Sequence, residues 1–228
     1  VARRNGSGQA ASGMPGPLAC PVCAAESEFF LSEDSRDYFR CARCEARFLS
    51  PDQRPAPGAE KAQYLLHENA IADPAYRRFL SRLADPLLAR LSPASSGLDY
   101  GCGPGPALAA ILGEAGHEVA VYDPFFRPDS SVLDTQYDFI TCTEAAEHFH
   151  DPAAEFECLR QRVRCGGFLA IMTCFQTDDD RFAGWHYRKD PTHVVFYREA
   201  TFRYLSGIWG WACESPAKDV VLMQRPKA

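Results

Sequence analysis

From residue 60 onward, apolar side chains recur first at helical and then at alternating spacing. Tyr76, Phe79, Leu80 and Leu83 fall on one helical face within the stretch 60–91 and are expected to meet a core. Asp73-Pro74 and Asp85-Pro86 each place a capping residue before a proline suited to a first helical turn, so two helix starts are predicted. Residues 92–97 read as a loop. Beyond them short apolar runs alternate with helical segments. Strands are predicted at 97–100, 118–123, 137–142 and 168–174, and helices at 107–115 and 151–164, the latter closed by Gly166-Gly167. A helix near 199–206 and two β-like segments, 209–213 and 220–224, complete the chain. Strands separated by helices predict an α/β architecture with a doubly wound, mostly parallel sheet.

The N-terminal part follows a different pattern. Residues 1–17, rich in Gly, Ala and Ser, are expected to form a disordered tail without the apolar core of a secretion signal. Residues 18–50 form a first ordered unit, 51–59 a linker rich in proline, and 60–228 the α/β domain with a helical lid at its start. Four of the ten cysteines stand in two pairs, Cys20-Pro-Val-Cys23 and Cys41-Ala-Arg-Cys44, separated by 17 residues (24–40). That spacing lets four thiolates close a tetrahedral shell with no open position, so a structural zinc ribbon is predicted rather than a redox pair. A unit this small buries little core, and metal would supply its folding energy. The other six cysteines are scattered, several in apolar segments, as in a protein of the reducing cytoplasm. The net charge of −6 argues against a broad nucleic-acid-binding face, and no apolar run has the length of a membrane span.

Gly101-Cys-Gly103-Pro-Gly105 follows the first predicted strand and opens a helix. Glycines there let the backbone turn tightly and approach a ligand, although a lone turn of this kind also serves plain strand-to-helix packing. Asp123, at the end of the next strand, is placed to accept bonds from both hydroxyls of a ribose. A dinucleotide-dependent dehydrogenase and a nucleoside-binding transferase both use such a frame.

The ordered set Leu98-Asp-Tyr-Gly-Cys-Gly-Pro-Gly105, Tyr122-Asp-Pro124, the segment 137–149 with its Glu-Ala-Ala-Glu-His string, and Arg164–Thr173 resembles the successive motifs of class I S-adenosylmethionine-dependent methyltransferases over residues 60–228. The resemblance implies the Rossmann-like methyltransferase fold, with Gly101, Gly103 and Gly105 beneath the methionine and ribose. It also implies that Asp99 holds the amino-acid end, Asp123 the ribose, and Thr143 the cofactor edge. The family has a helix and a further strand between positions equivalent to Asp123 and Tyr137. Here the spacing leaves only a short third strand, expected at 131–133, with Asp134 as the adenine-side acid.

Glu144, Glu147 and His148 stand at i, i+3 and i+4 and would share one face of a helix. With His150 or His193 as a fourth ligand they suit a divalent first-row metal, or Mg²⁺ less ideally. The string resembles both ubiquinone-pathway O-methyltransferases and small-RNA 3′-terminal 2′-O-methyltransferases. In the small-RNA group the string chelates a metal along with a later histidine; Asp190–Phe202 resembles the segment that supplies it, which implies the ligand set Glu144, Glu147, His148 and His193. Without metal, His148 is the expected general base. His186 and Tyr187, in the aromatic segment after the fifth strand, are candidate substrate contacts, and ordinary loop packing is their alternative. Tyr64, His67 and Asn69 are placed to form a lid, and His117 to lie in a solvated turn. The expected reaction is O-methylation of a small molecule. Alternatives are C-methylation of a sugar, RNA methylation, which the acidic balance disfavours, and a catalytically silent module whose ribbon recruits a protein partner.

Overall fold

The computed structural model describes residues 15–66 and 70–228. The first unit is an antiparallel array of β1 (Leu18–Ala19), β2 (Glu26–Glu33), β3 (Arg36–Arg40) and β4 (Arg47–Leu49). Helices α1 (Pro57–Tyr64) and α2 (Pro74–Leu88) follow, then β5 (Ser96–Tyr100), α3 (Ala107–Glu114), β6 (Glu118–Tyr122), β7 (Tyr137–Thr143), α4 (Pro152–Arg162) and β8 (Val163–Met172). The chain ends through β9 (Val195–Phe196), α5 (Glu199–Trp209), β10 (Ala212–Ala217) and β11 (Val220–Gln224). Among the described residues no helix is long and apolar enough to cross a membrane.

Six strands form the main sheet in the order β10-β11-β8-β7-β5-β6. Strands β6, β5, β7 and β8 are parallel, and β11 closes antiparallel on β8. The carboxyl ends of the four parallel strands therefore open on one edge, where ligands bind in such sheets. The period-two pattern of β8 explains the two layers. Phe168, Ala170 and Met172 pack with Leu80, Leu83 and Leu87 of α2 and Leu108 and Leu112 of α3. Leu169 and Ile171 face the other way, toward Phe156 and Leu159 of α4 and Phe202 and Leu205 of α5.

Three predicted features differ. Asp73 caps α2 as expected, its carboxylate accepting from the Ala75 amide at 2.8 Å, but Pro86 lies inside that same helix. Leu80, Leu83, Ala84 and Leu87 form one buried face, and their burial carries the helix through the proline in its last turn. The expected third strand is absent among the described residues, and residues 130–134 form a 3₁₀ turn whose start Asp129 caps. Too little chain separates Asp123 from Tyr137 for a crossover, so β6 remains the edge strand. Strand β8 begins directly after α4, and residues 164–167 bulge between the Tyr137–Val163 and Phe139–Phe168 pairs.

The ribbon is joined to the domain by more than its linker. β4 pairs antiparallel with β9, which lies far along the chain, so the small sheet runs β1-β2-β3-β4-β9. Tyr38, Phe39, Phe48 and Leu49 belong to the same continuous core as Phe196, Tyr197 and Phe202. Phe182 is the central ring of this junction. It is 1% exposed and meets Phe30, Tyr38 and Phe196 edge-on at centroid distances of 5.4, 5.1 and 5.1 Å. Around it, Arg40, Arg47 and Arg198 converge on the Asp179 carboxylate.

Phe182→Ala is therefore expected to cost about 3–5 kcal/mol. Ribbon and domain should unfold in one urea transition in the native chain, followed by intrinsic fluorescence and far-UV circular dichroism together. Two well-separated transitions would contradict the shared core.

Candidate functional site

The two CxxC segments fold as near-identical knuckles. The Cys20 amide donates to the Ala25 carbonyl and the Ala24 amide to the Cys20 carbonyl, at 2.8 and 2.9 Å. Cys41, Glu45 and Ala46 repeat the pattern at 3.0 Å. Ala24 and Glu45 take the left-handed conformation at φ 57° and 61°, a strain that a non-glycine residue keeps only where its surroundings demand it. The four sulfurs lie within 4.8 Å of one another, with Cys20–Cys44 at 3.6 Å and Cys23–Cys41 at 3.5 Å. Four thiolates bonded to one zinc at about 2.3 Å stand roughly 3.8 Å apart, so the donor set fits.

A cavity of about 570 Å³ opens at the carboxyl ends of the parallel strands. The glycine turn forms its floor. Gly101 has φ +75°, and a Cβ there would lie 2.5 Å from the Ala145 Cβ; Gly103 has φ +64° and open space before it. Asp123 organises this turn. Its carboxylate accepts from the Gly103 amide at 3.0 Å and from the Phe125 and Phe126 amides at 2.8 and 3.0 Å. Asp99 is 3% exposed and accepts from the Thr141 hydroxyl at 2.8 Å, and burial pushes its carboxyl up to about 6. Thr143 lines the cavity with a buried hydroxyl that has no hydrogen-bond partner among the described residues. A cradle of glycines, a buried acid and an orphaned hydroxyl fit the amino-acid and ribose parts of S-adenosylmethionine.

The structure brings most of the sequence candidates to this cavity. Asp99, Gly101, Gly103, Gly105, Asp123, Thr143, Glu144, Glu147, His148 and His193 all line it. Asp134 does not. It is exposed on the 3₁₀ turn, because the strand that would carry it to the edge does not form. His186 is also exposed and outside the cavity lining, since the turn 186–189 directs its neighbours Tyr187 and Arg188 inward instead. His117 packs half-buried against Phe139, away from the site. His150 lines the cavity but pairs with Glu60 at 2.7 Å and is outside the metal-type cluster. Tyr64 covers His148 and Phe125 edge-on, at 5.0 and 5.5 Å, as a lid residue would. His67 and Asn69 lie outside the described residues.

The ExxEH segment is not a full helix. Glu144 adopts φ 49°, and only Ala146–His148 form a 3₁₀ turn. Glu144 is thereby separated from its expected partners. Its carboxylate stands 3.4 Å from the Tyr187 hydroxyl, and burial together with Glu147 holds it well above the usual carboxylate range. Glu147, His148 and His193 do converge, with ligand atoms within 4.8 Å of one another. The two Nε2 atoms lie 3.9 and 4.0 Å from Glu147 Oε1.

Within that cluster, the remaining polar atoms of Glu147, His148 and His193 have partners. Tyr187 donates its hydroxyl to Glu147 Oε1 at 2.5 Å, and Thr173 donates to Oε2 at 2.9 Å. His148 Nδ1 lies 3.0 Å from the Thr192 carbonyl, and His193 Nδ1 lies 2.7 Å from the Tyr187 carbonyl. A carbonyl can only accept, so each Nδ1 carries the proton. Burial holds His193 down at about 4, so at neutral pH its Nε2 presents a lone pair. Thr173, Thr192 and the bridging role of Tyr187 left no sequence signal beyond the aromatic run, because the Thr192 carbonyl belongs to the main chain and the two hydroxyls meet Glu147 from segments far along the chain. Glu155, which lines the cavity and accepts from the Tyr100 hydroxyl, was equally silent.

The model of the methyltransferase domain family matches residues 72–212, more than half of the chain. No curated protein sequence matches. Among solved structures, the 1,6-didemethyltoxoflavin-N1-methyltransferase of Burkholderia thailandensis, with bound 1,6-didemethyltoxoflavin and S-adenosylhomocysteine, is 18% identical with a TM-score of 0.50. That alignment covers 90% of this chain and all of the other, 100%. An O-methyltransferase family protein from the same organism is 14% identical with a TM-score of 0.49, covering 77% of this chain and 65% of that one. Coclaurine N-methyltransferase bound to N-methylheliamine and S-adenosylhomocysteine is 15% identical with a TM-score of 0.44, covering 65% of this chain. The chain spans about half of that enzyme's length, 52%. At these identities the likeness is one of fold. The family match, over more than half of the chain and on a sheet whose carboxyl edge carries the glycine turn and Asp123, makes this chain a member of the methyltransferase domain family.

Proposed function

We propose that the chain methylates an oxygen of a small molecule held at a divalent ion on Glu147, His148 and His193. The observation that carries the reading is the pair of Nδ1-to-carbonyl bonds, which turn both Nε2 atoms toward one buried carboxylate. This is how histidine ligands are oriented around metals. A divalent ion there would lower the pKa of an acceptor hydroxyl and draw its oxygens into one geometry. S-adenosylmethionine supplies an electrophilic methyl on a sulfonium sulfur.

The chain's own residues supply alignment, which is most of what an in-line transfer needs. Asp99 faces the amino-acid end and Asp123 the ribose, while the Gly101–Gly105 turn lets the backbone pass close beneath. Tyr64 and α1 cover the acceptor side and exclude water. Glu144, kept protonated at neutrality, adds no second negative charge beside Glu147. None of the cavity-lining residues described is Lys or Arg, whereas Glu60, Asp190 and Glu155 join the acids already named. Such a wall favours a neutral or cationic acceptor and disfavours an RNA phosphate backbone, which basic side chains would have to track. We further propose that Cys20, Cys23, Cys41 and Cys44 hold a structural zinc.

Elemental analysis is expected to find one zinc per chain. Cys41→Ser should lose it and lower the melting temperature; full zinc retention would refute the ribbon ligands.

Cofactor binding should depend on Asp99 and Asp123. Calorimetry with S-adenosylhomocysteine should give about tenfold weaker binding or worse for Asp123→Ala, the range for a lost charge-assisted bond. Asp99 is mostly protonated below its raised value of about 6, and the ionised form is the one that attracts an ammonium group. Affinity should thus rise with pH through about 6 and then level off, and Asp99→Asn should flatten that slope.

The ion is tested with Mn²⁺. Calorimetry should detect a site that Glu147→Gln abolishes while the ribbon zinc stays in place. Methyl transfer to catechol or vicinal-diol acceptors should require Mn²⁺ or Mg²⁺. Undiminished Mn²⁺ binding by Glu147→Gln, or transfer indifferent to chelation, would leave His148 as a metal-free base.

A further inference from the structure

The acceptor-side histidines are fixed by two carbonyls, of Tyr187 and Thr192, and both belong to residues 187–194. Tyr187, Thr192 and Val194 bond to Glu147, His148 and Thr173 on the α/β side, and a second set of outside bonds comes from the ribbon. Arg188 is 1% exposed; it donates to Asp34 Oδ2 at 2.7 Å and to the Tyr38 hydroxyl at 3.2 Å, and its guanidinium lies 5.6 Å from the Tyr38 ring centroid. Arg36 donates to the carbonyls of Asp190 and Pro191 at 3.4 and 3.2 Å. The Leu49 amide donates to the Val194 carbonyl at 2.9 Å, and the Val194 amide in turn donates to the Glu147 carbonyl at 2.9 Å. Residues 188, 190, 191 and 194 are therefore tied to β2–β3, β3 and β4; Thr192 and His193 lie between them and Tyr187 directly before them.

We infer that the cysteine ribbon is a positioning element of the methyl-acceptor site, holding residues 187–194 so that His148 and His193 keep their Nε2 atoms on Glu147. The reasoning is geometric. Residues 175–194 include only short turns and no strand or long helix of their own. A segment of that kind, without outside partners, samples many backbone states. Its carbonyls would then stop selecting one tautomer of each ring. The cofactor end stands on β5, β6 and the glycine turn, which the ribbon sheet does not pair with. Loosening the ribbon should disturb one half of the cavity and spare the other. The importance of this brace for catalysis rests on the acceptor-site reading above, but the brace itself does not.

The test uses the full chain carrying Asp34→Ala and Arg36→Ala together, two changes on the ribbon hairpin that remove no cysteine and no cavity-lining residue. Long-range ¹H–¹⁵N spectra of histidine-labelled protein report the ring tautomers directly. In the native chain His148 and His193 should each show a single Nδ1–H form; in the variant both should become mixtures. Binding of S-adenosylhomocysteine should stay within about twofold, as expected for sites well separated from the change. Arg36→Lys with Asp34 intact should keep the native ring spectrum. Unchanged ring spectra in the double variant would overturn the inference, as would a loss of cofactor binding parallel to the loss of the tautomers. A native chain that shows the fixed tautomers yet binds no Mn²⁺ would defeat the metal reading and leave the brace standing.

Discussion

Glu147 is a carboxylate at 1% exposure, and the structure around the acceptor site is organised by the need to satisfy it. A buried charge without partners is costly enough that it would take up a proton or pull the fold apart. Here Tyr187 and Thr173 donate to its oxygens and two imidazoles stand about 4 Å away, at 3.9 and 4.0 Å. Its main-chain carbonyl is also engaged, by the Val194 amide. The turn after β7, Thr173 just after β8, the 3₁₀ turn carrying Tyr187 and Val194 just before β9 all meet at this one residue. The same arrangement explains why His193 is driven neutral: burial opposes its cation more strongly than the nearby acids favour it.

The cofactor side follows a separate logic. Asp123 accepts from three main-chain amides, so it shapes the glycine turn at the cavity floor. Asp99 is buried behind the turn with only Thr141 as a side-chain donor, which leaves its charge under-compensated until a cation arrives. One acid is thus satisfied by the turn it shapes, and the other is buried with its charge disfavoured. The two halves of the cavity share the carboxyl edge of the sheet but draw on different supports. The glycine turn rests on β5 and β6, and residues 187–194 rest on both the turns after β7 and β8 and the ribbon.

The ribbon itself is best understood as part of the domain's core rather than as an appendage. Phe182 and Phe196 enter it from the α/β side, and Tyr38 and Phe48 leave it in return. Burial of this kind is worth far more than the exposed ion pairs at its margin, such as Arg40 with Glu28. The convergence of three arginines on Asp179 adds direction to the junction, since planar donors fix relative orientation as well as attraction.

The local chemistry of this protein was legible in its sequence. Spacing alone paired the cysteines, alternation marked the strands from β5 to β8, and the glycine turn with Asp123 marked residues that meet in one cavity. Those features depend on neighbours a few residues apart, or on a period that the backbone imposes. What only the tertiary structure decided depends on contacts between distant segments. Asp134 missed the cavity because the short connection could not form a strand. Glu144 left the expected helical face because the chain must turn sharply as it leaves β7. Pro86 stayed within α2 because one buried face outweighed a local stop signal. The pairing of β4 with β9 and the Leu49–Val194 bond run through main-chain groups that every residue carries, and the side-chain bonds of Arg36 and Arg188 reach partners far away along the chain. Backbone amides carry no residue-specific signature, so that brace could be found only once the chain was folded.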